Sequence, residues 1–184
     1  MNWRIFIFVF LATFGISLPA MVSISDFHLL GNHQGYEPVQ PIAYSHALHA
    51  GQLGIQCQYC HSGASDSRHA TVPSLSTCMK CHTDVKGSTE TGKAEIARFT
   101  DMFRKNEPVA WVRVHNIPDF VYFNHSAHVL AKVPCQTCHG NVQDMTVVKQ
   151  FADLSMGWCV NCHRDDNAQN PKLNAPLDCD ACHR

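Results

Sequence analysis

The chain has 184 residues, ten cysteines, thirteen histidines and a formal net charge of −1 at pH 7. A balance this close to neutral, with no basic stripe, excludes nucleic acid as the partner. The excess of cysteine and histidine directs attention to metal or prosthetic-group chemistry instead.

Taken in order, the chain opens with an uncharged apolar run of twenty residues, Ile5 to Ile24. At about 1.5 Å per residue, such a run crosses a bilayer core of roughly 30 Å. Arg4 before it and Asp26 after it favour an inside-to-outside orientation, and Trp3 suits the membrane interface. Ser23-Ile24-Ser25 is a loose small-x-small cleavage site, but no Ala-x-Ala is present, so the expectation is a retained anchor over 1–25 rather than a cleaved signal. Residues 26–40, punctuated by Gly, Asn, Gln and Pro and carrying His28 and His33, read as a linker.

From 41 to 86 the chain contains Tyr44-Ser-His46-Ala-Leu-His49, then Cys57-Gln-Tyr-Cys60-His61, then Cys78-Met-Lys-Cys81-His82. His69 precedes Cys78 by nine residues and is expected to be a bystander. Residues 87–118 connect. Ile96, Phe99, Met102 and Phe103 fall at helical spacing, which predicts a helix over 91–106 capped by Thr91 and ended by Glu107-Pro108. Trp111 to Phe123 then reads as extended, with Pro118 against helix and His115 placed as a candidate ligand.

The last stretch, 119–184, repeats the first pattern: Phe123-Asn-His125-Ser-Ala-His128, then Cys135-Gln-Thr-Cys138-His139. Tyr44 matches Phe123, His46 matches His125 and His49 matches His128. Two further boxes follow, Cys159-Val-Asn-Cys162-His163 and Cys179-Asp-Ala-Cys182-His183, with Met145 and Met156 between the boxes.

All ten cysteines fall in five Cys-x-x-Cys-His boxes, so none is left for a disulfide. Structural zinc also uses Cys-x-x-Cys pairs, but it gives no reason for a histidine directly after each second cysteine. The box is the attachment signal for c-type haem: two thioethers hold the porphyrin, and the histidine beneath the iron is the proximal ligand. Five covalently bound haem c groups are therefore expected, with His61, His82, His139, His163 and His183 proximal. The two ligands of one iron lie on opposite faces of the ring. His46 and His49, like His125 and His128, are too close together to straddle a porphyrin, so each member of a pair should serve a different haem. Met156, three residues before Cys159, is a candidate thioether ligand, with Met145 the alternative.

Thioether attachment takes place outside the cytoplasmic membrane, which predicts a single-pass anchor with the haem domain on the periplasmic or outer face. So many porphyrins in so short a chain leave little room for a side-chain core. The expected fold is mostly irregular with small α-helices, a haem-dominated core and little sheet.

The segment from Asp119 to Arg184, aromatic-x-His-x-x-His, a box, a ligand just before the next box and a last box, resembles the trihaem members of cytochrome c class III. By that resemblance His125 belongs to the Cys135 haem, His128 to the Cys159 haem and Met156 to the Cys179 haem, where that family has histidine. The same logic assigns His46 to the Cys57 haem and His49 to the Cys78 haem. Further, Pro-Ile-Ala-Tyr-Ser-His-Ala-Leu-His-Ala-Gly, Trp-Val-Arg-Val-His and Leu-Ser-Met-Gly-Trp-Cys-Val-Asn-Cys-His-Arg, with the amino-terminal anchor, are similar to the pentahaem subunit of alternative complex III. That resemblance implies an electron-transfer subunit, not itself an enzyme, passing electrons from a quinol-oxidising membrane complex to a cytochrome c or a haem-copper oxidase. The partners it implies are an iron-sulfur subunit, polytopic quinol-binding subunits and a monohaem cytochrome c. The alternatives are a membrane-anchored multihaem quinol dehydrogenase and a multihaem reductase with one open iron.

If Met156 binds iron, Met156→His lowers one haem potential by a large fraction of the axial-ligand range and keeps that haem low-spin. A redox titration in which every potential is unchanged removes Met156 from the ligand set.

Overall fold

A computed structural model of the chain describes residues 33–183. The expected anchor, 1–25, and the first part of the expected linker, with His28, lie outside the described residues. Among the described residues no helix is long and apolar enough to cross a membrane.

The described chain is built from short helices: α1 (Cys57–Cys60), α2 (Leu75–His82), α3 (Glu90–Arg104), α4 (His125–Leu130), α5 (Cys135–His139), α6 (Met156–Gln169) and α7 (Cys179–Cys182). A π-helical turn, Ala47–Gln52, precedes α1, and 3-10 turns cover Ser62–Ala64 and Val142–Asp144. The described residues form no strand beyond an isolated antiparallel bridge between Val121 and His183.

Each box coincides with a helical element, α1, α2, α5, α6 or α7. One helical turn sets the two cysteines of a box on one side, and the histidine follows at or just past the helix end, except in α6, which continues to Gln169 beyond His163.

The longest helix, α3, starts differently from expectation. Its cap is Thr89, whose hydroxyl accepts a hydrogen bond from the Gly92 N–H at 3.0 Å, while Thr91 lies inside the first turn. The extended backbone of Thr89, φ −98° and ψ 156°, is what a capping residue adopts. The helix ends at Arg104, and Asn106 follows in the left-handed region with φ 55°. Ile96 and Phe99 bury one stripe of α3 against Ile42, flanked by Leu75, Met79, Met102, Val109 and Trp111. Phe103, expected on that stripe, is exposed. Four residues beyond Phe99, it turns past the edge of the groove between α2 and α3.

Apart from Ala64 and Ala152, these are the buried apolar side chains among the described residues. At about 25 cal/mol per Å² of apolar surface, so small a set supports only a fraction of what folding a domain of this length requires. The remaining helices therefore need a large apolar filler between them, and attached porphyrin would provide it.

The segment read as a linker is stitched to the rest of the chain. Gly35 N–H donates to the Gln150 carbonyl at 2.8 Å, and Gln150 N–H donates to the Tyr36 carbonyl at 3.0 Å. Gln34 adds a side-chain bond to the Phe151 carbonyl at 3.0 Å. Further on, the Gln40 amide pairs with both the N–H and the carbonyl of Val112, each at 2.9 Å.

Gln150 itself is completely buried. Its Oε1 accepts from Asn116 N–H at 3.0 Å and its Nε2 donates to the Ala152 carbonyl at 3.1 Å. One glutamine thus joins the 35–36 segment, the extended 111–123 segment and the loop before α6.

The two halves of the chain also meet elsewhere. The π-helical turn touches the Val142–Asp144 turn, where Ala47 N–H donates to the Met145 carbonyl at 2.9 Å. Gly51 is required there, because a Cβ would stand 2.3 Å from the Gln143 carbonyl oxygen. On the other side, His125 and Ser126 N–H groups donate to the carbonyls of Arg68 and Ser67 at 3.2 and 3.1 Å.

Gln150→Leu removes the acceptor for Asn116 N–H in a site without solvent. It is expected to cost about 1–3 kcal/mol, seen as a lower midpoint in chemical denaturation of the holoprotein. An unchanged midpoint removes Gln150 from its central place.

Candidate haem sites

The site begins with two aromatic side chains. Phe123 packs edge-on to His125, with ring centroids 4.8 Å apart, and lies tilted against His128 at 4.5 Å. Tyr44 repeats this with His46 at 4.8 Å and with His49 at 4.4 Å. The sequence repeat is therefore a repeat in space, an aromatic wedge that sets the two imidazoles of a pair at different angles. Asn124 fixes where α4 starts, since its side chain accepts from Ser126 N–H at 3.0 Å. His125 and His128 then lie one turn apart.

Each of these four imidazoles faces the histidine of a box. The ring centroids of His46 and His61 are 6.4 Å apart with planes at 3°, and those of His125 and His139 are 6.4 Å apart at 11°. His49 and His82 are separated by 6.2 Å, and His128 and His163 by 6.0 Å. Two metal–imidazole bonds of about 2 Å, plus two ring radii of about 1.1 Å, come to roughly 6 Å. Direct stacking would bring the rings closer, so this spacing fits one iron between each pair of imidazoles. The angle between the planes is free, because each ring can turn about its own bond to the metal.

The hydrogen bonds at the back of the rings make the same point. Nδ1 donates to a backbone carbonyl in His49 (Ser45, 2.9 Å), His61 (Thr71, 2.7 Å) and His82 (Val85, 2.9 Å). It does so again in His125 (Arg68, 2.8 Å), His128 (Asn124, 2.8 Å) and His163 (Pro176, 2.7 Å). A carbonyl only accepts, so it fixes the proton on Nδ1 and leaves the Nε2 lone pair for a metal. His139 differs, for its Nδ1 lies 3.1 Å from Nε2 of His115. In His46 the Nδ1 is buried and finds no partner.

Two of the rings are held in the neutral form that a ligand needs. Burial first, then His61 and His49, pushes His46 down to about 4. Burial, then His115, His125 and His61, pushes His139 down to about 3.

The thiols place the boxes relative to one another. Cys60 neighbours Cys81 and Cys78. The Cys135 thiol lies within hydrogen-bonding reach of Cys57. Cys138, pushed up to about 11 chiefly by burial, has Cys162 and Cys159 nearby, and Cys159 has Cys182. The Cys57 box therefore neighbours both the Cys78 and the Cys135 boxes, and the Cys159 box neighbours both the Cys135 and the Cys179 boxes. None of the ten cysteines is paired in a disulfide. A cavity of about 490 Å³ opens beside Cys162, lined by Trp158 and Thr137 on one side and by Asp165 and Asp166 on the other.

At the last box, the ring nearest His183 among the described residues is Phe120, at 5.7 Å. Met156, at the start of α6, is 71% exposed. Met145 lies at the contact between the π-helical turn and the Val142–Asp144 turn. His33 packs edge-on to Tyr36 at 5.4 Å, and His69 is exposed.

Sequence reasoning missed Arg68, whose carbonyl accepts from His125 while its guanidinium lies 3.9 Å from the centre of the Tyr122 ring. It also missed Thr71, Val85, Pro176 and Gln150. No motif marks them, because any residue brings a carbonyl.

A chain of this geometry has a recognisable counterpart. It is 31% identical over 166 residues, 79% of this chain and 77% of the other, to a protein of Nitratidesulfovibrio vulgaris (strain Hildenborough) described as the multihaem cytochrome c subunit of a menaquinone reductase. The chain belongs to this family of multihaem cytochrome c subunits. Residues 121–184 in addition match the family model of cytochrome c7 and related cytochromes c. As a multihaem cytochrome, the chain takes covalently bound haem c, which supplies a one-electron iron couple. Its own residues would hold that group through the cysteines of the boxes, and the Nδ1 hydrogen bonds orient the imidazoles that would meet it.

Asn124→Ala removes the cap of α4 and is expected to cost roughly 1 kcal/mol, read as a lower unfolding temperature of the holoprotein. No loss of stability would show that the paired histidines fix α4 without the cap.

Proposed function

We propose that this cytochrome is a pentahaem electron relay, anchored in the cytoplasmic membrane by 1–25, with its haem domain on the periplasmic or outer face. The observation that carries the reading is the set of four imidazole pairs at 6.0–6.4 Å. Irons held in this way are six-coordinate and have no open position for substrate, which suits electron transfer rather than catalysis. The fifth iron takes His183 with Met156 as its partner in this proposal, and that pairing gives the relay a high-potential end.

The organisation that goes with the proposal is a linker over 26–40, a dihaem module over 41–86, a connecting segment over 87–118 and a trihaem module over 119–184. The cytochrome c7 match at 121–184 supports the last of these. The close approach of Cys57 and Cys135 supports electron passage between the modules through the first box of each.

The relative's description supports a place in a quinone-linked complex. We propose that this chain is the cytochrome subunit of a quinol-oxidising assembly of the alternative complex III kind. Its partners are then an iron-sulfur subunit, polytopic quinol-binding subunits and a monohaem cytochrome c, and its acceptor is a cytochrome c or a haem-copper oxidase. A second reading reverses the direction, because the relative is described as part of a menaquinone reductase.

Mass measurement of the purified protein is expected to show five haems per chain, and optical and magnetic spectra to show low-spin iron throughout. The intact complex is expected to reduce cytochrome c with menaquinol. A substantial high-spin, ligand-accessible haem sinks the pure relay, and quinone reduction without quinol oxidation decides for the reverse direction.

A further inference from the structure

Of the hydrogen bonds behind the paired imidazoles, one is unlike the others. Six rings donate Nδ1–H to backbone carbonyls. His139 donates to the side chain of His115, at 3.1 Å between Nδ1 and Nε2. The two rings meet edge to face, with centroids 4.4 Å apart at 76°.

His115 is held in place from both sides. Arg113 Nε donates to the His115 carbonyl at 3.1 Å, and Arg113 also reaches the Ile117 carbonyl at 3.4 Å. On the other side Asn116 N–H is tied to Oε1 of the fully buried Gln150 at 3.0 Å. The segment 113–117 is thus braced internally by Arg113 and tied to Gln150 at Asn116, and the imidazole within it meets His139.

We propose that His115 is a positioning residue for the Cys135 haem, whose Nε2 accepts the His139 Nδ1–H and sets the potential of that haem below the value a carbonyl acceptor would give.

The proposal rests on His139 being an iron ligand through Nε2, as its 6.4 Å separation from His125 indicates. The chemistry follows from the acceptor. An imidazole nitrogen is more basic than an amide carbonyl and draws the Nδ1 proton more strongly. His139 then gives more electron density to the metal through Nε2, and the oxidised state is favoured. With Nε2 occupied by the His139 proton, His115 carries its own proton on Nδ1 and has no nitrogen lone pair to offer an iron. That distinguishes it from the ligand role that its position in the sequence suggested. The location gives the effect a consequence: the Cys135 box neighbours both the Cys57 box and the Cys159 box, so its potential governs transfer between them.

The test uses the purified holoprotein in redox titrations followed by optical and magnetic spectroscopy, with His115→Leu and His115→Gln. The Leu variant is expected to keep every haem low-spin and to raise one redox step. The expected size is on the order of tenfold in the reduction equilibrium, which is about 59 mV for one electron. The Gln variant, which offers a carbonyl oxygen, is expected to shift that step less. A new high-spin haem in either variant would make His115 a ligand and overturn the proposal. Equal shifts in both variants, or no shift, would overturn it as well, because the hydrogen bond would then have no part. The underlying assignment has its own control: if His139→Leu leaves every haem low-spin, His139 is not a ligand, whatever the His115 variants show.

Discussion

The structure depends on the orientation of imidazoles. Four pairs of rings are held at a separation that leaves room for a metal ion, and the holding is done from behind, mostly by Nδ1–H donation to main-chain carbonyls. This fixes the tautomer and the direction of Nε2 together. It also explains why the helices are short. A box needs one turn of helix for its cysteines, and the carbonyl that accepts from its histidine is supplied by a neighbouring loop, as Thr71 does for His61 and Pro176 does for His163.

The same constraint ties the two halves of the chain. His125 Nδ1 and His125 N–H both donate to the carbonyl of Arg68, so a ligand candidate of the second half is oriented by a loop of the first. Arg68 in turn lies over Tyr122, one residue before the aromatic wedge. Gln150 does the corresponding work elsewhere, where it collects three segments of irregular chain and holds Asn116, the residue after His115. With few apolar side chains buried, directed polar contacts of this kind carry much of the arrangement, and a large apolar cofactor would supply the burial that they cannot.

Several features were legible from local pattern. Cys-x-x-Cys-His requires no tertiary information, and the Tyr44–His49 and Phe123–His128 repeat predicted a common geometry that the ring contacts display. The small-helical class followed from how little chain is available per box. Where reading failed, the reason is specific. Thr91 and Thr89 are equally plausible caps by residue type, and only the backbone angles choose Thr89. Phe103 fits the helical stripe by spacing, but the buried cluster takes only Ile96 and Phe99 from the helix, with Met102 at its edge, and leaves Phe103 exposed. The segment from 33 to 40 looks like a linker because its residues are polar, and it is polar in part because Gln34 and Gln40 bond distant carbonyls.

The amino-acid sequence alone determined the multihaem class: the Cys-x-x-Cys-His boxes, the paired histidines and the match of Tyr44–His49 with Phe123–His128 all reside in spacings of a few residues. Tertiary structure decided which partner each ring faces and which boxes are neighbours. Those depend on contacts between residues far apart in the chain, such as Cys57 with Cys135 and His115 with His139, and on backbone carbonyls that have no signature in the sequence.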